Sequence, residues 1–115
     1  MDVKLTKEAD ALICLLYKEY CEKRKNGAPK DQAKFFGSSE DIHETLTPKL
    51  SPADTNDTCW ELHRSELLHC FESDDIAYVV QLTDKGIIYM ENRFKNGVSE
   101  VLDYLGKIKG IIPFI

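Results

Sequence analysis

LHRSELLHCFESDDIAYVVQL, residues 62–82, is the stretch in which the chain must pass from helix to strand. Ile76, Tyr78, Val80 and Leu82 alternate with Ala77, Val79 and Gln81, the period of a half-buried strand. Glu72-Ser73-Asp74-Asp75 ahead of it is turn chemistry, because short polar side chains bond the nearby backbone. Residues 67–71 then read as the partner strand of a hairpin. A competing reading continues the preceding helix to Phe71, since Trp60, Leu67 and Phe71 also match helical spacing. The turn favours the hairpin; periodicity alone does not separate the two.

Upstream, Ser51-Pro52-Ala53-Asp54 is a strong helix start: a capping serine, a proline at the first helical position and an early acid. That helix runs to about Arg64. Another begins after Ser38, with Asp41 three residues on as a capping-box variant, Ile42 and Leu46 inward, and Pro48 ending it. Residues 5–25 read as a long amphipathic helix on Leu5, Ala9, Leu12, Ile13, Leu16, Tyr17 and Tyr20, stopped by Asn26-Gly27. Residues 26–37 read as a connector with a short helical turn after Pro29. Downstream, Thr83 caps a helix over 84–95 with Ile87, Met90 and Phe94 inward. Ser99 caps a last helix over 99–110. The expectation is one domain over residues 1–115, α+β and mainly helical.

The order and the residues together resemble a winged helix–turn–helix domain of the bacterial MarR/PadR type. Leu50-Ser51-Pro52 matches the start of that pattern's recognition helix and Leu62 its last core leucine. Glu66-Leu67-Leu68 stands at the Gly-Leu-Ile step that opens the wing, with glutamate where the pattern has glycine. Leu82-Thr83-Asp84-Lys85-Gly86 matches the wing exit. The chain is also similar to small YjcQ-type bacterial proteins, which share the LT-x-KG-x-x-Y stretch and a helical C-terminus. The resemblance covers about residues 38–95. It implies a helix–turn–helix over 39–64, a two-stranded hairpin wing over 66–82 and an extra C-terminal helix.

Composition narrows the function. Hydrophobic residues are 43% and charged residues 30% of 115, ordinary for a folded domain and against global disorder. No apolar run approaches the roughly 18 residues of a membrane span. The polar N-terminus lacks an export signal, so the four cysteines read as reduced thiols in a cytoplasm. The net charge of −5 argues mildly against a general nucleic-acid binder. Residues 38–75 hold ten acidic and two basic residues, whereas residues 18–37 carry a net +3. There is no C-x-x-C pair, no glycine-rich phosphate loop and no nameable triad. The expectation is therefore no enzyme, no metal and no cofactor. Cys59 and His63, one helical turn apart, are the only pair resembling a thiol nucleophile and its base.

Candidate contact residues follow from the helix ending at Arg64. With Thr55, Thr58, Cys59 and Leu62 inward, Asn56, Asp57, Trp60, Glu61 and Arg64 point outward, onto the face that enters the major groove in the resembled family. Asn56 suits adenine and Arg64 guanine. The acids Asp54, Asp57 and Glu61 oppose phosphate, since duplex binding runs on counterion release by basic groups. Lys85, Arg93 and Lys95 are candidate backbone contacts near the wing. Trp60 reads either as core or as an exposed interface anchor. Lys23, Arg24, Lys25 and Lys30 form a basic cluster at the end of the first helix. Val101, Leu102, Leu105 and Ile108 make an apolar last helix that either closes the core or forms a dimer or docking surface. The tail Ile111-Ile112-Pro113-Phe114-Ile115 is apolar as well, and no membrane contact is expected unless it is the stub of a longer segment. The leading expectation is a partner protein or a second copy; DNA is the alternative.

Overall fold

In the computed structural model, which describes residues 3–110, the first helix begins where a hydroxyl can cap it. Thr6 Oγ1 accepts the Ala9 N–H at 3.2 Å and opens α1 (Lys7–Lys25). Ala9, Leu12, Ile13, Leu16, Tyr17 and Tyr20 lie on its buried side. Gly27, at φ +94°, follows the Asn26 C-cap and turns the chain away.

The connector expected over 26–37 carries more structure than its sequence indicates. α2 (Lys30–Ala33) follows Pro29, and β1 (Phe35–Gly37) is a three-residue strand. It pairs antiparallel with β3 (Ile76–Leu82), which pairs with β2 (Leu68–Ser73), giving the order β1-β3-β2. The expected two-stranded hairpin is thus part of a three-stranded sheet. Phe35-Phe36-Gly37 is too short to display an alternation, so no periodic signal marked it.

α3 (Ser39–Thr45) carries a full capping box. Ser38 Oγ accepts the Asp41 N–H at 3.2 Å, and the Asp41 carboxylate accepts the Ser38 N–H at 3.0 Å. α4 (Pro52–Arg64) starts with Ser51 Oγ accepting the Asp54 N–H at 3.0 Å. Thr55, Thr58, Cys59 and Leu62 are buried, as the helical spacing requires. The hydroxyls of Thr47 and Thr55, both out of water, satisfy each other at 2.8 Å. α4 closes with Leu67 N–H on Leu62 O at 3.0 Å and Glu66 N–H on His63 O at 2.9 Å, the paired bonds of a Schellman end. Glu66 sits at φ +66°, the left-handed position where the resembled pattern has glycine.

Asp74 and Asp75, at φ +53° and +65°, form the two-residue turn between the paired Ser73 and Ile76. Within β3, Val79 stands at φ +50° and the register slips between His69 and Phe71. This bulge corrects the simple alternation. Ala77, Val80 and Leu82 are buried, while Tyr78, expected with Val80 and Leu82, faces outward.

α5 (Asp84–Arg93) is capped by Thr83 Oγ1, which accepts the Gly86 N–H at 2.9 Å. A Cβ on Gly86 would lie 2.2 Å from the Leu67 carbonyl oxygen, which explains the glycine in LTDKG. α6 (Val98–Ile108) starts behind Gly97, not behind Ser99. Its buried Val101 and Leu105 belong to the common core, and the helix lies against α1. Leu12, Ile13, Leu16, Ile42, Leu62, Leu67, Leu68, Leu82 and Met90 anchor that core, each worth about 1.5–3 kcal/mol of burial. The apolar tail, residues 111–115, lies outside the described residues.

Candidate functional site

The outer face of α4 is only partly free. Asn56 Oδ1 accepts the Ala77 N–H at 2.7 Å, pinning the hairpin to the helix. The Glu61 carboxylate accepts both the N–H and the hydroxyl of Thr6, at 2.9 and 2.7 Å, and so holds the start of α1. Trp60 is half-buried against the core, with His63 edge-on at 5.2 Å. Of the five expected contact residues, Asp57 and Arg64 remain exposed, joined by Ala53 and Asp54. No ion pair engages Arg64 among the described residues.

The remaining cations do not gather. Lys85 bonds the Glu66 carboxylate at 3.2 Å, beside the turn from α4 into the sheet. Arg93 grips the Asp10 carboxylate through both terminal nitrogens and stacks 4.6 Å from the Tyr104 ring centroid. Tyr104 donates its hydroxyl to the same carboxylate, so α1, α5 and α6 meet at one polar knot. Burial and that hydrogen bond push the Tyr104 phenol above its usual range. Lys95 is exposed just past α5. In the basic cluster, Lys23 donates to Phe35 O at 3.0 Å, Arg24 to Ala28 O at 3.2 Å, and Lys30 pairs with Asp84 at 3.1 Å.

The four apolar residues of α6 divide. Val101 and Leu105 are inside, Ile108 packs partly on the core, and Leu102 is exposed. The helix folds back on α1, so Leu105 is not available as the centre of an interface.

Three of the four thiols are buried and Cys21 is partly buried. Burial pushes Cys14, Cys59 and Cys70 up to about 12. His63 Nδ1 accepts the Cys70 N–H at 3.1 Å, covering a backbone donor of the edge strand β2 instead of activating Cys59. Among the described residues no group of three or more His, Cys, Asp or Glu is placed to hold a metal ion. No described helix is long and apolar enough to cross a membrane.

A surface that periodicity did not mark is the outer face of the sheet. Phe35 stands opposite Gln81, Gln81 opposite His69, and Phe71 opposite Tyr78. The His69 ring meets Phe71 edge-on at 4.7 Å. Phe35, Phe71 and Tyr78 are 43, 54 and 48% exposed, an unusual outlay of aromatic surface. The one available signal was Phe71 next to turn acids. The Val79 bulge that turns Tyr78 outward has no glycine to announce it. Comparison with known proteins finds no family model, no curated protein and no solved structure that matches this chain.

Proposed function

We propose that the chain is a non-enzymatic winged-helix module that acts by docking to a protein. The order α1-β1-α3-α4-β2-β3, with β1 joining the hairpin, supports the winged-helix part of that reading. It agrees with the resemblance carried by Leu50-Ser51-Pro52 and Leu82-Thr83-Asp84-Lys85-Gly86. Fold alone does not choose the partner.

The observation that carries the choice is the chemistry left free on α4. Asn56, the residue suited to reading adenine, holds the hairpin, and Asp54 and Asp57 stay exposed on the helix that ends in Arg64. The hairpin tip adds Glu72, Asp74 and Asp75. A duplex approaching this surface meets carboxylates where it needs cations. A titration of labelled duplex by fluorescence anisotropy tests the reading. No saturable complex is expected below about 0.1 mM protein at 0.15 M salt. The second reading, a DNA-binding regulator, draws on the exposed Arg64. A salt-dependent complex that disappears in Arg64→Ala would establish it in place of the first.

A further inference from the structure

We infer that the outer face of the sheet, centred on Phe71 and Tyr78, docks a basic and apolar segment of the partner protein. This rests on the protein-docking reading and names its surface.

Three large aromatic side chains share the face, and each is more than two-fifths exposed. They are not unsatisfied remnants of the core, because the opposite face of the same strands is filled. Leu68, Cys70, Ala77, Val80 and Leu82 are at most 4% exposed. Nor are the aromatics scattered. Phe71 and Tyr78 are cross-strand partners, and His69, edge-on to Phe71, links them through Gln81 to Phe35. Water contact with such a surface is unfavourable by about 25 cal/mol per Å², which a partner relieves by covering it.

Charge selects the occupant. The strands carrying Phe71 and Tyr78 run directly into the tip Glu72-Ser73-Asp74-Asp75. Glu72, Asp74 and Asp75 are exposed, and none takes an ion pair among the described residues. Lys23, beside β1, is occupied by Phe35 O and by the Phe36 ring at 4.5 Å. Lysine and arginine fit both halves of the surface. Their aliphatic stems cover the rings, their charged heads lie over π faces, and those heads reach the tip carboxylates. A second copy paired through the same face would present the same three carboxylates again, and nucleic acid would present phosphates. Both are opposed by the tip.

A random dodecapeptide library displayed on phage and selected on the immobilised full chain supplies the test. Enriched sequences should combine Lys or Arg with large apolar residues. Resynthesised peptides should bind Phe71→Ser and Tyr78→Ser about tenfold more weakly than the parent, the size expected when an interface anchor is removed. Asp74→Asn with Asp75→Asn keeps residues that tolerate positive φ. It should weaken binding about threefold and flatten its salt dependence. The inference is overturned if no sequence is enriched or if the enriched set is acidic. It is equally overturned if the Phe71 and Tyr78 variants bind as the parent does. In that last case docking lies elsewhere and the protein-docking reading stands; a duplex complex lost in Arg64→Ala would remove that reading itself. Self-association by light scattering that is lost in Phe71→Ser would give the face to a second copy, against the inference.

Discussion

The two faces of the sheet carry similar apolar residues and treat them in opposite ways. Inward, Leu68, Cys70, Ala77, Val80 and Leu82 lie against the helices and lose their water. Outward, Phe35, Phe71 and Tyr78 keep about half of theirs. The difference is one of register. At Val79 the backbone takes φ +50°, a conformation a β-branched residue rarely adopts, and the residues before it change sides. An unbroken alternation would have sent Tyr78 inward and Ala77 outward. Tyr78 therefore takes its place on the aromatic face through a strained backbone.

The largest expected contrast tests whether the two faces differ in energy as they do in exposure. Leu82→Ala should destabilise the domain by about 2–5 kcal/mol, since it opens a cavity in a filled core. Phe71→Ala, which removes a larger side chain, should change stability by no more than about 0.5 kcal/mol. Urea unfolding followed by far-ultraviolet circular dichroism measures both. Equal losses would mean that Phe71 is covered in solution and that the faces are not different.

The parts of this structure legible in the sequence are those in which one short signal acts alone. Ser38 with Asp41, Ser51 with Pro52, and Thr83 with Gly86 each cap a helix within three residues, and each capping bond is present. Thr55, Thr58, Cys59 and Leu62 face inward because helical spacing leaves them no other face. What sequence could not show depends on partners distant along the chain. β1 is a strand because Phe35 and Gly37 find Gln81 and Val80. Asn56 and Glu61 look like free contact residues until Ala77 and Thr6 are brought to them. Arg93 looks like a surface cation until α1 delivers Asp10. The apolar stripe of α6 has the same spacing whether it meets α1 or a second chain, and only the fold decides between them.

A smaller effect follows from the thiols that line the filled side. Burial raises Cys59 and Cys70 from 9.0 to about 12. In the unfolded chain these thiols lose their protons near pH 9, while in the folded chain they keep them. The folded state then binds more protons, so the thiols' contribution to stability is constant below pH 9 and falls as pH rises from 9 towards 12. Each thiol should withdraw on the order of 1 kcal/mol per pH unit in that window. Urea midpoints at pH 8, 9.5 and 10.5 measure the slope. Cys70→Ala should start from a lower stability and decline less steeply. An identical slope in parent and variant would mean that Cys70 is wet and the inner face leaky.

The smallest effect concerns another left-handed residue that frames the sheet. Glu66, at φ +66°, closes α4 one residue before the buried Leu67 and sets where β2 begins. A non-glycine residue there is held against its preference by roughly 1–2 kcal/mol. Glycine relieves that strain but loses about 0.5–1 kcal/mol through the greater freedom of its unfolded chain. It also removes the exposed contact with Lys85, worth a few tenths of a kcal/mol. The balance leaves Glu66→Gly more stable by about 0.5 kcal/mol, or roughly 2 °C in Tm for a domain of this size. Glu66→Ala separates the terms: it loses the Lys85 contact, keeps the strain and should be slightly less stable than the parent. If alanine and glycine behaved alike, Glu66 would not be strained in solution. The hand-over from α4 to β2 would then rest on Leu67 and its bond to Leu62 alone.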